Sequence, residues 1–201
     1  MAQKHKYSVA LFANKRMNTY DDVMRIVGKY SHIYDLSCRP HEYRPYEHEE
    51  ILSKVNLVVS VFNPLRISGT ALSIPNFNIH AAPTWYRGIG AIGRAIADKM
   101  ERHGIVVHEM VYEYDAGAIF VEETFDIRGL SAIDIGAQCV ERTLKQLDNF
   151  CMYFSINGVL PLKATCAKWS GIVMQLREFR EWLEKAEFAG KEDVVKIYSP
   201  F

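Results

Sequence analysis

The stretch Asn76–Gly93 reads NFNIHAAPTWYRGIGAIG, and the reading of its second half decides the fold. The last six residues, Gly88-Ile89-Gly90-Ala91-Ile92-Gly93, match the dinucleotide fingerprint G-x-G-x-x-G letter for letter. A helix-like run, RAIADKMERHG, follows, then the apolar run IVVHEM with Glu109 near its end. A working fingerprint needs a strand that stops at its first glycine, so that the tight turn sets a helix N-terminus under a pyrophosphate. Here the strand pattern NFNIH stops at His80, eight residues early, and the connection AAPTWYR is polar and holds a proline. The N-terminal turn FANKRMNTYDD has no glycine, and Glu109 follows Gly93 by only 16 residues. A nicotinamide-dependent oxidoreductase built on Gly88–Gly93 is therefore the second reading.

The surrounding pattern still predicts an α/β protein. YSVALFA (Tyr7 to Ala13), HIYDLSC, VNLVVSVF (Val55 to Phe62), Asn76–His80 and IVVHEMVYEY read as strands, the third apolar enough to be buried on both faces. Asn18-Thr19-Tyr20-Asp21-Asp22 opens a helix with cap-type residues. Strands alternating with helices predict a Rossmann-like, mainly parallel sheet flanked by helices. The last third differs. Ser131 to Phe154 is one long helical pattern, NGVLPLKATCAKWSG reads as loop or short strand, and IVMQLREFREWLEKAEFAG as a helix stopped by Gly190. This predicts a catalytic core over 1–130 and a small α+β C-terminal extension of the same domain over 131–201.

Composition narrows the partners. With 24 basic and 24 acidic residues among 201, the chain carries no overall electrostatic footprint for nucleic acid or an acidic membrane. The N-terminus lacks a long apolar segment, no run is long enough to span a bilayer, and the four scattered cysteines form neither a disulfide framework nor a zinc ribbon. A cytoplasmic protein, monomeric or homodimeric, is expected. His41, Glu42, His48, Glu49 and Glu50 crowd together, but the prolines around them break any regular ligand spacing, so no metal is expected. His103 and His108 flank a glycine turn with no evident partners, and the cysteines have no neighbouring base.

Three residues suit chemistry. Asn78 and His80 lie two apart on one strand and so leave the same face, at the strand's carboxyl end, where open α/β sheets bind ligands. Asp115 is expected at the end of the next strand, before a turn glycine, and parallel pairing would make the two ends neighbours. An amide, an imidazole and a carboxylate in one cleft suit acyl transfer to an amine: a base near neutrality, an oxyanion donor and an orienting carboxylate.

NFNIHAAPTWYRG, a helix, then HGIVVHEMVYEYDAGAIF resembles the formyltransferases that use N10-formyltetrahydrofolate. The resemblance covers Val55 to about Phe125. It implies that Asn78, His80 and Asp115 are the catalytic set, and that the glycines from Gly88 to Gly93 serve loop geometry and packing. It further implies a folate site between Phe62, Asn63, Leu65, Arg66 and Ile67 on one side and Val111, Tyr112, Glu113 and Tyr114 on the other. Tyr86, Arg87, Gly88 and Trp169 would then meet the substrate. Ala81-Ala82-Pro83 stands where the family has Pro-Ser-Leu-Leu-Pro, and Asn63-Pro64 replaces an aromatic–glycine pair, which alters the pocket's shape more than its chemistry. The neutral charge does not suit transfer RNA, and the glycine-rich phosphate turn of the glycinamide ribonucleotide enzymes is missing. The expected acceptor is a small primary amine, first a nucleotide-linked amino sugar, with an amino acid or carrier-bound amine as the alternative. Lys168, Trp169, Arg177 and Tyr198 lie in the last third, where a substrate wall or dimer contact would be built.

Overall fold

Along the first strand, alternate residues serve two different cores. The computed structural model describes residues 6–37, 48–63, 65–164 and 168–200. In β1 (Ser8–Ala13), Val9, Leu11 and Ala13 join one buried cluster while Ala10 and Phe12 join another. β3 (Leu57–Val61) does the same, with Leu57, Val59 and Val61 on the first side and Val58 on the second. A strand apolar on both faces lies between two layers, so the two central strands dictate a sheet covered front and back.

With β2 (His32–Asp35), β4 (Asn76–His80), β5 (Arg102–His108) and β6 (Ile119–Asp126), they form one sheet in the order β2-β1-β3-β4-β5-β6. The first four strands are mutually parallel. This is the mainly parallel, Rossmann-like sheet the sequence predicts. Five helices contribute to the core on one face: α1 (Tyr20–Gly28), α3 (Ala91–Ala97), α4 (Ala132–Asn157), α5 (Leu176–Lys185) through Phe179, and α6 (Lys191–Tyr198). The short α2 (Glu49–Leu52), a 3-10 turn over Gly69–Ser73 and the chain around Leu65 and Ile67 cover the other. The long α4 starts at a capping box, Ser131 with Asp134, and buries Leu147, Phe150, Cys151 and Phe154 against the sheet. No helix among the described residues is long and apolar enough to cross a membrane.

Four expectations are corrected. The strand expected over IVVHEMVYEY begins earlier, at Arg102, ends at His108, and pairs antiparallel to β4 and to β6. Just beyond its end Glu109 donates its N–H to the Ala118 carbonyl at 2.8 Å, closing a loop so tight that a Cβ on Gly117 would lie 1.8 Å from the Glu109 carbonyl oxygen. Between Val107 and His108 the β5–β6 register shifts by a bulge. The helix expected to run to Gly104 ends at Ala97, where Lys99 takes a positive φ of 53° and Met100 returns its N–H to Ala95. Gly104 is not a turn but part of β5, packed on the Glu123–Thr124 backbone. Finally, Gly190 does not stop a helix. α5 (Leu176–Lys185) has already ended, and Gly190, at φ 81°, begins α6.

His41 and Glu42 lie outside the described residues, as do Cys38, Pro64 and Cys166. Glu49 accepts from the Thr70 hydroxyl and Glu50 pairs with Lys54. Cys139 and Cys151 are free thiols whose burial pushes their pKa up to about 12, the reverse of what a nucleophile requires.

Candidate active site

β4 presents Asn76, Asn78 and His80 on one face and buries Phe77 and Ile79 in the main core on the other. Asn76 ties loops together, accepting from the Met110 N–H and donating to the Leu72 and Ile74 carbonyls. Asn78 and His80 line a cavity of about 370 Å³ at the carboxyl ends of β3 and β4. Asp115 reaches it from the loop after β5, not from a strand end, and stands between two imidazoles. Its Oδ2 lies 3.6 Å from His80 Nδ1 and its Oδ1 lies 3.4 Å from His108 Nε2. The three residues expected to act together are therefore brought together, by a folded-back loop.

The fit of Asp115 is over-determined. It sits at a positive φ of 45°, costly for a residue with a side chain and held only because its surroundings insist on it. The Gly88 N–H donates to its Oδ2 at 2.6 Å, while Arg87 donates through Nε to the Asp115 carbonyl and through Nη2 to the Tyr114 carbonyl, both at 2.8 Å. Arg94 in turn donates to the Arg87 and Ile89 carbonyls. Burial opposes the Asp115 charge, but His80, His108 and the Gly88 amide outweigh it and hold the carboxyl well below its usual range. His80 is held the other way. Burial lowers its pKa, and the Asp115 carboxylate only partly restores it. Its Nε2–H donates to the Tyr86 carbonyl at 2.8 Å, leaving Nδ1 toward Asp115. A neutral imidazole therefore faces an ionised carboxylate across a gap wider than a hydrogen bond.

The glycines of the fingerprint face protein. A Cβ on Gly88 would fall 2.0 Å from the Met174 carbonyl oxygen, one on Gly90 2.1 Å from the Phe179 ring, and one on Gly93 2.9 Å from Val194. The Gly88 N–H, which would have to point at a phosphate, is taken by Asp115. The dinucleotide reading has no space here.

The expected folate-side residues Phe62, Asn63, Leu65, Arg66, Ile67 and Val111 to Tyr114 all line the cavity. Leu65 and Ile67 are buried and Phe62 carries a positive φ of 51° at the end of β3. Arg66 lies over the Tyr112 ring at 4.3 Å and near the Tyr114 ring at 5.2 Å. Of the expected substrate contacts, Gly88 lines the cavity, whereas Tyr86, Arg87 and Trp169 do not. Tyr86 donates its hydroxyl to Asp98 at 2.6 Å, and burial together with that bond raises its pKa. Trp169 donates to the Gly117 carbonyl at 2.7 Å and packs against the rings of His108 and His80.

Sequence reasoning missed two contributors. One is the segment Val173–Leu176, which lines the cavity together with Arg177 and Tyr198, two residues of the last third already expected in a substrate wall. Met174 is bound to the Arg87–Ile89 backbone through the Met174 N–H and carbonyl, a pairing between distant segments that no local pattern signals. The other is His108, which has partners after all: Asn78, Asp115, Glu109 and Trp169. Its signal was the lone polar residue closing the apolar run IVVH. Among the described residues no cluster of histidines, cysteines and carboxylates is arranged to hold a metal ion.

The six-stranded, mainly parallel sheet and its flanking helices have the fold of formyltransferases of known structure. The comparisons with known proteins agree. Over 131 residues, 57% of this chain, the sequence is 30% identical to methionyl-tRNA formyltransferase from Thermotoga neapolitana, and it spans 41% of that protein's length. A sugar N-formyltransferase from a Shewanella species superposes with a TM-score of 0.69 at 15% identity, over 96% of this chain and 88% of that one. An N-formyltransferase from Helicobacter canadensis, in complex with folinic acid and dTDP-3-aminofucose, superposes with a TM-score of 0.62 at 12% identity, over 85% and 71%. No family model matches the chain.

Proposed function

We propose that this protein transfers a formyl group from N10-formyltetrahydrofolate to a primary amine. The observation that carries the reading is the carboxylate of Asp115 set between His80 and His108, beside Asn78, on the wall of one cavity. The folate would lie along Phe62, Leu65 and Ile67, an apolar floor, with the backbone of Val111 to Asp115 reading the pterin edge and Arg66 and Asn63 at its margin. The folate complex of the Helicobacter relative supports this co-substrate.

In the reaction the amine nitrogen attacks the formyl carbon, and the carbonyl oxygen gathers charge. An Asn78 N–H donates to that oxygen. His80, kept neutral by burial, takes the amine proton on Nδ1, and Asp115 stabilises the imidazolium that results. The proton then passes to the folate N10 as its bond to the formyl carbon breaks. We assign Gly88, Arg87, Tyr86 and Trp169 to holding Asp115 and the two histidines rather than to gripping the acceptor. The acceptor faces Val173–Arg177 and Tyr198, and the sugar-modifying relatives support a nucleotide-linked amino sugar there.

The test is formyl transfer by the purified protein from N10-formyltetrahydrofolate to a panel of amino sugars, amino acids and carrier-bound amines, followed by tetrahydrofolate release. Turnover is expected with at least one amine, with His80→Ala, Asn78→Ala and Asp115→Ala each reducing it by on the order of 10²–10⁴-fold. Near-normal turnover in His80→Ala, or no binding of a stable formylfolate analogue by the wild type, would sink the reading.

A further inference from the structure

The reaction as drawn gives no task to His108, yet its side chain is only 3% exposed and lines the cavity between Asn78 and Asp115. Its hydrogen bonds fix more than its own position. Nδ1 lies 2.7 Å from the Glu109 carbonyl oxygen. A carbonyl can only accept, so Nδ1 carries the hydrogen. Nε2 lies 3.0 Å from the Asn78 side-chain nitrogen. In the neutral ring that leaves Nε2 a bare lone pair, to which the Asn78 NH2 can donate. A single neutral tautomer satisfies both bonds.

The consequence passes to Asn78. Had the amide turned its oxygen to Nε2, two lone pairs would meet, so the NH2 end must face His108. One of its hydrogens is used there, and the other is left for the cavity, where Asn78 makes no further hydrogen bond among the described residues. The contact from Nε2 to Asp115, at 3.4 Å, is longer than the one to Asn78. Trp169 keeps the ring from turning. It meets His108 edge-on at 4.9 Å and 86°, and its own N–H is anchored on the Gly117 carbonyl.

We propose that His108 is a positioning residue: the Glu109 carbonyl holds it as the Nδ1–H tautomer, and its Nε2 locks the Asn78 amide with an N–H turned into the cavity. The effect on catalysis rests on the formyl-transfer reading above; the locking of the amide does not. The backbone thus sets, through two side chains, which end of an amide meets the developing oxyanion.

The experiment pairs a spectroscopic arm with a kinetic one. In 15N-labelled wild type, the His108 ring is expected to show a protonated Nδ1 and an unprotonated Nε2. One Asn78 side-chain hydrogen is expected to be shifted by its bond and slow to exchange. His108→Leu removes the acceptor and should collapse that signal. His108→Gln, whose carbonyl reaches the place of Nε2, should restore it. In the kinetic arm His108→Leu should lower kcat about tenfold or more with the folate KM little changed, and His108→Gln should recover most of it. A doubly protonated or Nε2–H ring, or indistinguishable Leu and Gln variants, overturns the proposal. If the wild type formylates no amine, the formyl-transfer reading falls while the tautomer and the Asn78 signal still decide the locking. If His108→Leu fails to fold, the wild-type tautomer and His108→Gln decide it.

Discussion

His80 and His103 are histidines of one sheet whose burial has different consequences. His80 borders the cavity and faces a carboxylate; His103 is fully buried, 3.4 Å from the Cys139 sulfur, and burial pushes its pKa down to about 4. Because His103 is easier to protonate unfolded than folded, the unfolded chain binds more protons between about pH 6.5 and 4. Stability is then complete above that window and falls as the pH drops through it, by about 3 kcal/mol in all. Urea midpoints at pH 7 and pH 5 measure this, and His103→Asn should flatten the difference. For His80, replacing Asp115 by Asn removes the one charge that counters burial, so its imidazole should titrate lower than in the wild type, read by NMR. An upward move would show that the carboxylate is not what sustains its basicity. Asn78 and His80 were legible as a pair because the two-residue period of a strand puts them on one face. His108 was not, because its partner depends on an antiparallel register, Asn78 opposite His108, and a parallel sheet was expected.

At the scale of elements, the Gly88–Gly93 turn shows how a motif can be matched in letters and absent in mechanics. Gly90 stands at φ 84°, where side chains are disfavoured, and the ring of Phe179 from α5 occupies the space a side chain would need. Gly90→Ala should therefore cost about 2 kcal/mol or more, seen as a lower melting temperature. A turn built to receive a nucleotide would lose affinity instead and keep its stability. The strand–helix alternation of the first half was readable because apolar period and length agree there. The end of the 94–104 helix was not, because a left-handed lysine closes it and lysine carries no signal for that conformation.

For the molecule as a whole, the last third belongs energetically to the first. Phe179 is 1% exposed and Val194 fully buried, and both join the cluster that includes Phe77 and Ile79 beneath the site. Phe179→Ala should destabilise the protein by about 3–5 kcal/mol. We expect its unfolding to remain a single transition, coincident by tryptophan fluorescence and by far-ultraviolet circular dichroism. Two separated transitions would mean that residues 131–201 melt on their own. The fold class could be read from strand patterning alone, but the docking of Met174 on Arg87 and Ile89 could not. Contacts between segments so far apart in the chain leave no periodicity behind.

The bulge between Val107 and His108 has a consequence for how such a chain can change over generations. A strand cannot gain or lose one residue without turning every side chain beyond that point to the other face. On the β4 side of β5 that would swing His108 away from Asn78 and dismantle the site. On the β6 side the bulge already absorbs one residue of mismatch, so the outer strand can drift in length while the inner pairing stays fixed. Insertions and deletions should therefore collect in β6 and its flanks, and be purged from the seven residues of β5.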